Sequence, residues 1–405
     1  MNKKIIDEIV WWIPIKKLRN NIRNFLLLVY DFISETNEYK TINKIEINNY
    51  PKDFIIHENG YFLDNFIKTL NNEETFNLDI YKKLIKNLDD DSITTINTII
   101  SKASNMKSGY DETYFNDTEI EEIIKIIRQH NNKVIKINDN CYSYNHYFLP
   151  INIFGIDIFS DKIKFDILEK NNDYLKNKNI MDVGAFIGDT AIIFSEYTTK
   201  KVYSFEPLKK NYNLLLKTIE LNEKENIIPL HMALGNSIGN IELFHYDAEI
   251  IGGASIKEIE YLDHKEIVDI TTLDEFVNKN HVENIGLIKI DIEGAEEDFL
   301  LGAKNTIKKY RPILFISIYH NPKHFFDLKP MIENWNLNYK FRIIKPIEAS
   351  VLIETMLIAI PEQSRAEQSR AEQSRAEQSR ANYSICSDYI YFYHNSKYKK
   401  LQPML

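Results

Sequence analysis

Carboxylates standing at the ends of apolar runs, beside closely spaced glycines, are the residues of this 405-residue chain whose types and spacing suggest chemistry. The first group is Asp182-Val-Gly184-Ala185-Phe-Ile-Gly188-Asp189-Thr190, where an apolar run passes into a helical pattern. Glycines at 184 and 188 allow a tight turn and a close approach of backbone to ligand. A dinucleotide loop would read G-x-G-x-x-G and present a bare helix N-terminus to a pyrophosphate. Here the spacing is G-x-x-x-G, and acids flank the loop. Two carboxylates repel a pyrophosphate but suit a ligand carrying an ammonium and a sulfonium. An acid about 4 Å from an ammonium gains about 4 kcal/mol at an effective dielectric of 20, before desolvation. A purely structural role, with Asp189 capping the helix, accounts for one residue of the set.

The next β-type run, "KVYSFEP", ends in Glu206, a position from which a carboxylate accepts hydrogen bonds from both hydroxyls of a ribose. The third, "NIIPLHMAL", brings Met232 and Ala233 to the expected border of an adenine. The fourth ends in Asp291-Ile-Glu293-Gly294-Ala-Glu296, and the fifth, "PILFISIYH", closes on His320 before Asn321-Pro322. Ligands of open α/β sheets sit at the carboxyl ends of the strands, so these acids and His320 converge on one cleft. His320 is the favoured general base, because an unperturbed imidazole titrates near neutral pH, with Glu293 and Asp291 as alternatives. A lone histidine is more often structural, and fixing the turn before Pro322 is the competing role. No His/Asp spacing marks a metal site, although Asp291 could contribute to one.

The elements that position these residues alternate β and α from residue 178 onward. That rhythm predicts a mostly parallel sheet with helices on both faces. "YKFRIIKP" and "ETMLIAIP" add an antiparallel edge pair, completing seven strands by Pro361. The expected fold class is α/β with a seven-stranded sheet, preceded by a mostly helical N-terminal region. Residues 1–35 form a basic, tryptophan-bearing amphipathic segment, with six Lys/Arg against two acids over residues 1–24. Residues 9–30 suit either a helix on an anionic membrane surface, with Trp11 and Trp12 at headgroup level, or a terminal helix packed on its own domain. Residues 36–132 read as an accessory helical region, with Thr118 as N-cap and Glu121 as capping-box partner of its last helix. Residues 133–177 read as short strands leading into the core at 178–361. Four copies of EQSRA at 362–381 cannot bury a face and form a spacer, and the tail 382–405 is expected to be dispensable.

A net charge of −9 opposes generic nucleic-acid binding. Two distant cysteines build no disulfide framework or zinc site and fit a reducing cytoplasm. No apolar run is long enough to span a bilayer.

"IMDVGAFIGDTAIIF", "YSFEP", "TTLDEF" at 271–276 and "IKIDIEGAEEDFLLGA", in this order, resemble the FkbM-type methyltransferase family over roughly residues 178–320. The resemblance implies a Rossmann-like methyltransferase fold, S-adenosyl-L-methionine as cofactor, and O-methylation of sugar or natural-product hydroxyls on a small-molecule or glycan acceptor. Asp182, Gly184, Ala185, Gly188, Asp189, Thr190, Glu206, Met232, Ala233 and Asp291 would then bind the donor. Many family members carry an acid near the end of the fifth strand, where this chain reads Ile318-Tyr319-His320. The rivals are a nicotinamide-dependent oxidoreductase on a related fold and a non-catalytic membrane-associated binding protein. The enzyme is expected in the cytoplasm, with contact to the inner face of the membrane as an option.

Overall fold

The structure, a computed structural model, describes residues 62–105, 115–160, 162–245, 264–346 and 350–362. The basic segment, the EQSRA repeat (apart from Glu362) and the tail lie outside the described residues.

Three strands, β1 (Val134–Asn138), β2 (Cys141–Tyr144) and β3 (Tyr147–Leu149), form a small antiparallel sheet. The main sheet has seven strands: β4 (Asn179–Val183), β5 (Val202–Phe205), β6 (Ile227–Leu230), β10 (Ile285–Ile290), β11 (Ile313–Ser317), β12 (Tyr339–Ile344) and β13 (Met356–Pro361). A second three-stranded sheet holds β7 (Ala233–Leu234), β8 (Gly239–His245) and β9 (His264–Thr271). Across the main sheet the order is β12-β13-β11-β10-β4-β5-β6. The five strands from β11 to β6 are parallel, and β13 runs antiparallel between β11 and β12. This is the expected α/β, Rossmann-like, seven-stranded arrangement, and its order reverses at β4, where a crevice opens between β4 and β10.

Every residue of β10 and β11 is buried, because helices cover both faces. Successive side chains point to opposite sides. Met181, Val183, Ile288, Ile290, Leu314 and Ile316 enter one core, whereas Ile180, Leu287, Ile313 and Phe315 enter the other. The first core also takes in the N-terminal helical region: Phe66, on the helix 62–70, stacks on Phe326 at 5.7 Å and meets Phe325 edge-on at 4.9 Å. Lys329 donates to the Lys86 carbonyl, and Ile343 N donates to Ser92 Oγ at 2.9 Å. The second core joins β1–β3 to the sheet through Tyr144, Leu149, Phe154 and Phe159.

Several local expectations are corrected. The helix Asp117–Asn131 is capped two residues earlier than expected: Asn116 accepts from Glu119 N, and Glu119 returns to Asn116 N, so Asn116 and Glu119 replace Thr118 and Glu121. The run "NIIPLHMAL" is two elements, since the chain leaves the main sheet after Leu230 and β7 pairs with β9. Helical turns begin already at Ile156, because Phe159 packs inward among Tyr144, Tyr147 and Phe154. The β8–β9 hairpin was not expected at all; its burial alternates too weakly to stand out. Strand β11 stops at Ser317, so His320 lies three residues beyond it. Among the described residues, no helix is long and apolar enough to cross a membrane.

Candidate active site

The loop after β4 turns through two glycines in the left-handed region, Gly184 (φ 78°) and Gly188 (φ 90°). A Cβ on Gly184 would stand 1.8 Å from the Asp291 carbonyl oxygen, so only glycine lets the β4 and β10 ends meet. The helix Asp189–Phe194 then begins directly at Gly188.

Asp182 and Asp189 do different work. Asp182 is fully buried; its Oδ2 accepts from Thr190 Oγ1 at 2.8 Å, and its Oδ1 lies 3.5 Å from Lys289 Nζ. Burial pushes its carboxyl up, against the pull of the Lys289 ammonium. Asp182 therefore holds the loop from behind instead of facing a ligand. Asp189 lines the cavity, and burial pushes its carboxyl up to about 7.

Glu206 follows β5 and reaches across the loop. Its Oε2 accepts from Phe186 N at 3.0 Å; its Oε1 accepts from Leu208 N at 3.0 Å and, at 3.4 Å, from Asn211 Nδ2. Burial pushes this carboxyl up to about 8, although those donors pull it down. Two carboxylate oxygens offer about four acceptor sites. With three taken, Oε2 keeps capacity toward the cavity.

On the other side of the crevice, Glu293 (φ 55°) and Gly294 (φ 101°) twist the backbone after β10 into two successive left-handed residues. Fully buried Glu296 pins this turn, its Oε1 accepting from Ile292 N at 3.1 Å and Gly294 N at 3.2 Å. The same oxygen lies 2.8 Å from His320 Nδ1, and His324 Nδ1 lies 2.8 Å from its Oε2. Burial alone would raise the Glu296 carboxyl, but the two imidazoles hold it well below the usual carboxylate range.

His320 Nε2 points the opposite way, 3.5 Å from both Asp291 Oδ1 and Glu293 Oε2. Phe62 closes over the ring edge-on at 5.5 Å. Burial disfavours a charged imidazole here, yet Glu296, Glu293 and Asp291 outweigh it and raise His320 to about 10. The expectation that His320 titrates near neutrality fails for this reason: three carboxylates surround it. Glu293, 32% of whose side chain is exposed, is pushed up to about 7 by burial, aided by Asp291 and Glu296.

A cavity of about 420 Å³ joins the two groups. Of the expected donor residues, Gly184, Asp189, Thr190, Glu206, Met232, Ala233 and Asp291 line it, with Glu293 of the expected catalytic set. Asp182, Ala185, Gly188 and His320 stand behind the lining. Phe186 and Tyr319, from the marked runs, also contribute, as do Ile153, Asp157, Asn211 and Glu354, from segments without a chemical motif. Lys289 was legible: it is the one charged residue within the fully buried strand "IGLIKI", and its Nζ donates to the Gly184 carbonyl at 2.5 Å.

Residues 182–343 match the family described as the methyltransferase FkbM domain. The chain carries an FkbM methyltransferase domain. The matched region runs from within β4 into β12 and contains Asp182, Asp189, Glu206, Asp291, Glu293 and Glu296, whereas Asp157 and Glu354 lie outside it. The hexuronic acid methyltransferase AglP of Haloferax volcanii is 28% identical over 129 residues, 32% of this chain and 51% of that relative, so the match spans about half the relative's length. Among solved structures, the methyltransferase FkbM from Methylobacillus flagellatus KT aligns at 17% identity and TM-score 0.41, covering 70% of this chain and 58% of that one. An O-methyltransferase from Bacillus cereus in complex with SAH aligns at 11% identity and TM-score 0.30, covering 61% and 92%.

Proposed function

We propose that the protein is an S-adenosylmethionine-dependent methyltransferase acting on a hydroxyl of a sugar, surface glycan or related small molecule. The observation that carries the donor assignment is Glu206, buried just after β5, lining the cavity and keeping one acceptor site for a ribose hydroxyl. The cavity's volume lies within the range of small-molecule sites. Asp189, Glu206, Asp291, Glu293, Asp298 and Glu354 line it, whereas the Lys289 ammonium is engaged by Asp182 and the Gly184 carbonyl. That balance favours a cationic ligand and disfavours the pyrophosphate of a nicotinamide dinucleotide.

When bound, S-adenosylmethionine supplies a methyl group on a sulfonium leaving group. The chain's task is then alignment, and oriented reactants can supply about 7–11 kcal/mol of rate enhancement. The adenosyl part fits between Glu206 and the Met232–Ala233 segment. Asp189 and Thr190 take the amino-acid end, and Asp291 and Glu293 face the acceptor. Glu293, whose carboxylate opens on the cavity, is placed to take the acceptor proton, while His320 is held behind it by Glu296. A sugar acceptor is favoured by the similarity to a hexuronic acid methyltransferase.

Calorimetry with S-adenosylhomocysteine and with NAD⁺ separates the two cofactor readings. The proposal expects saturable binding of the first and none of the second; the reverse would overturn it.

A further inference from the structure

The two nitrogens of His320 sit in different surroundings. Nδ1 is 2.8 Å from Glu296, an ordinary charge-assisted hydrogen bond. Nε2 is buried, has no hydrogen-bond partner, and stands 3.5 Å from one oxygen of Asp291 and one of Glu293. A proton on Nε2 would draw one of these carboxylates to about 2.7–2.9 Å. Ligands that share one ion, each about 2.1 Å from it at tetrahedral to octahedral angles, stand about 3.0–3.4 Å apart. The observed 3.5 Å is well beyond the first range and just beyond the second, leaving room for an ion between the groups.

We propose that Asp291 and His320 Nε2, with Glu293 alongside, hold a divalent cation at the acceptor end of the cavity. Ligand-capable atoms of Asp291, Glu296 and His320 fall within 4.8 Å of one another. Glu296, however, spends Oε1 on Ile292 N, Gly294 N and His320 Nδ1, and its Oε2 faces His324. It is the orienting carboxylate behind a metal-ligating histidine: it holds the Nδ1 proton, and a cation at Nε2 takes the place of the second ring proton. Asp291 and His320 lie 29 positions apart and meet only because β10 and β11 pair in parallel, Ile290 opposite Ile316. No short-range spacing could reveal this.

One imidazole with carboxylates and open positions suits Mn²⁺ or Mg²⁺ chemistry better than a closed thiolate site. The open positions face the cavity, where they would receive the acceptor oxygen and lower the pKa of its hydroxyl. This last role rests on the methyl-transfer reading, whereas the cation site does not.

The test uses the full chain and Mn²⁺ alone, followed by calorimetry, by paramagnetic resonance, and by imidazole NMR of histidine-labelled protein. The expected result is one Mn²⁺ per chain with selective broadening of the His320 ring signals. Asp291→Asn, which keeps the shape of a partly exposed side chain, and His320→Gln should each weaken binding at least tenfold. Glu296→Gln should weaken it about 10–100-fold. Absence of saturable Mn²⁺ binding, unchanged affinity in Asp291→Asn, or broadening confined to other histidines would overturn the site. S-adenosylhomocysteine binding, measured without added metal, reports separately on the donor reading.

Discussion

Glu206 offers a substitution whose outcome is unusual enough to test the donor site sharply. Its carboxylate accepts from two main-chain amides, Phe186 N and Leu208 N, both at 3.0 Å, and the side chain is 5% exposed. Above about pH 8, where the Glu206 carboxyl is ionised, Glu206→Ala removes a charge-assisted hydrogen bond to the ribose worth about 1.5–3 kcal/mol, which lowers donor affinity roughly 10- to 150-fold. Glu206→Gln would ordinarily be mild. Here it is not, because a glutamine has one acceptor oxygen for two amides. Its NH₂ must face either Phe186 N or Leu208 N, donor against donor, and the loop must shift to relieve it. Both variants should therefore lose affinity to a similar degree. Titration calorimetry with S-adenosylhomocysteine measures this, and thermal unfolding of the same samples separates local loss from misfolding. A Glu206→Gln protein that binds like wild type would refute the argument, since neither the charge nor the second acceptor oxygen would then matter.

Gly184→Ala drives a Cβ to 1.8 Å from the Asp291 carbonyl at φ 78°, so donor binding should be lost and the melting temperature lowered; an alanine variant matching wild type in both assays would contradict the crossing geometry. Asp189 and Glu206, raised to about 7 and about 8 by burial, hold protons in the folded state that the unfolded chain has released above its ordinary carboxyl range. Their contribution to stability is present at low pH and is lost as pH rises toward about 8. The donor-free protein should thus melt lower at about pH 8.5 than at about pH 6, and a midpoint rising over that window would contradict this. Phe66→Ala empties a fully buried aromatic site shared with Phe325 and Phe326 and should cost about 3–5 kcal/mol in urea unfolding, with helix and sheet lost in one transition. Two separate transitions would show that the N-terminal helices are not part of the sheet's core.

The sequence makes the sheet legible because burial on both faces imposes continuous apolar runs, and each run that ends in an acid marks a strand's carboxyl end. Gly184, Glu206 and Asp291 could be placed on one cleft by that logic alone. Roles set by distant neighbours could not be read this way. Asp182 looks like a ligand-facing acid in the loop, yet Lys289, supplied from β10, draws it into the interior. His320 looks like a neutral base, yet Glu296, Glu293 and Asp291 converge on it only after the chain folds. Phe62, from the helix 62–70, reaches the same ring from a region with no chemical motif. The β8–β9 hairpin escapes detection because one face of β9 is exposed, leaving Ile267 in solvent and blurring the period.

The central claim is transfer of a methyl group to oxygen, and the direct measurement is incubation of the full chain with methyl-deuterated S-adenosylmethionine and extracted surface glycans, followed by mass spectrometry of products. The account predicts S-adenosylhomocysteine formed in step with trideuteromethyl ethers on sugar hydroxyls, and loss of both in Glu206→Ala. Label found on an amine or a ring carbon of the products, instead of on oxygen, would contradict it.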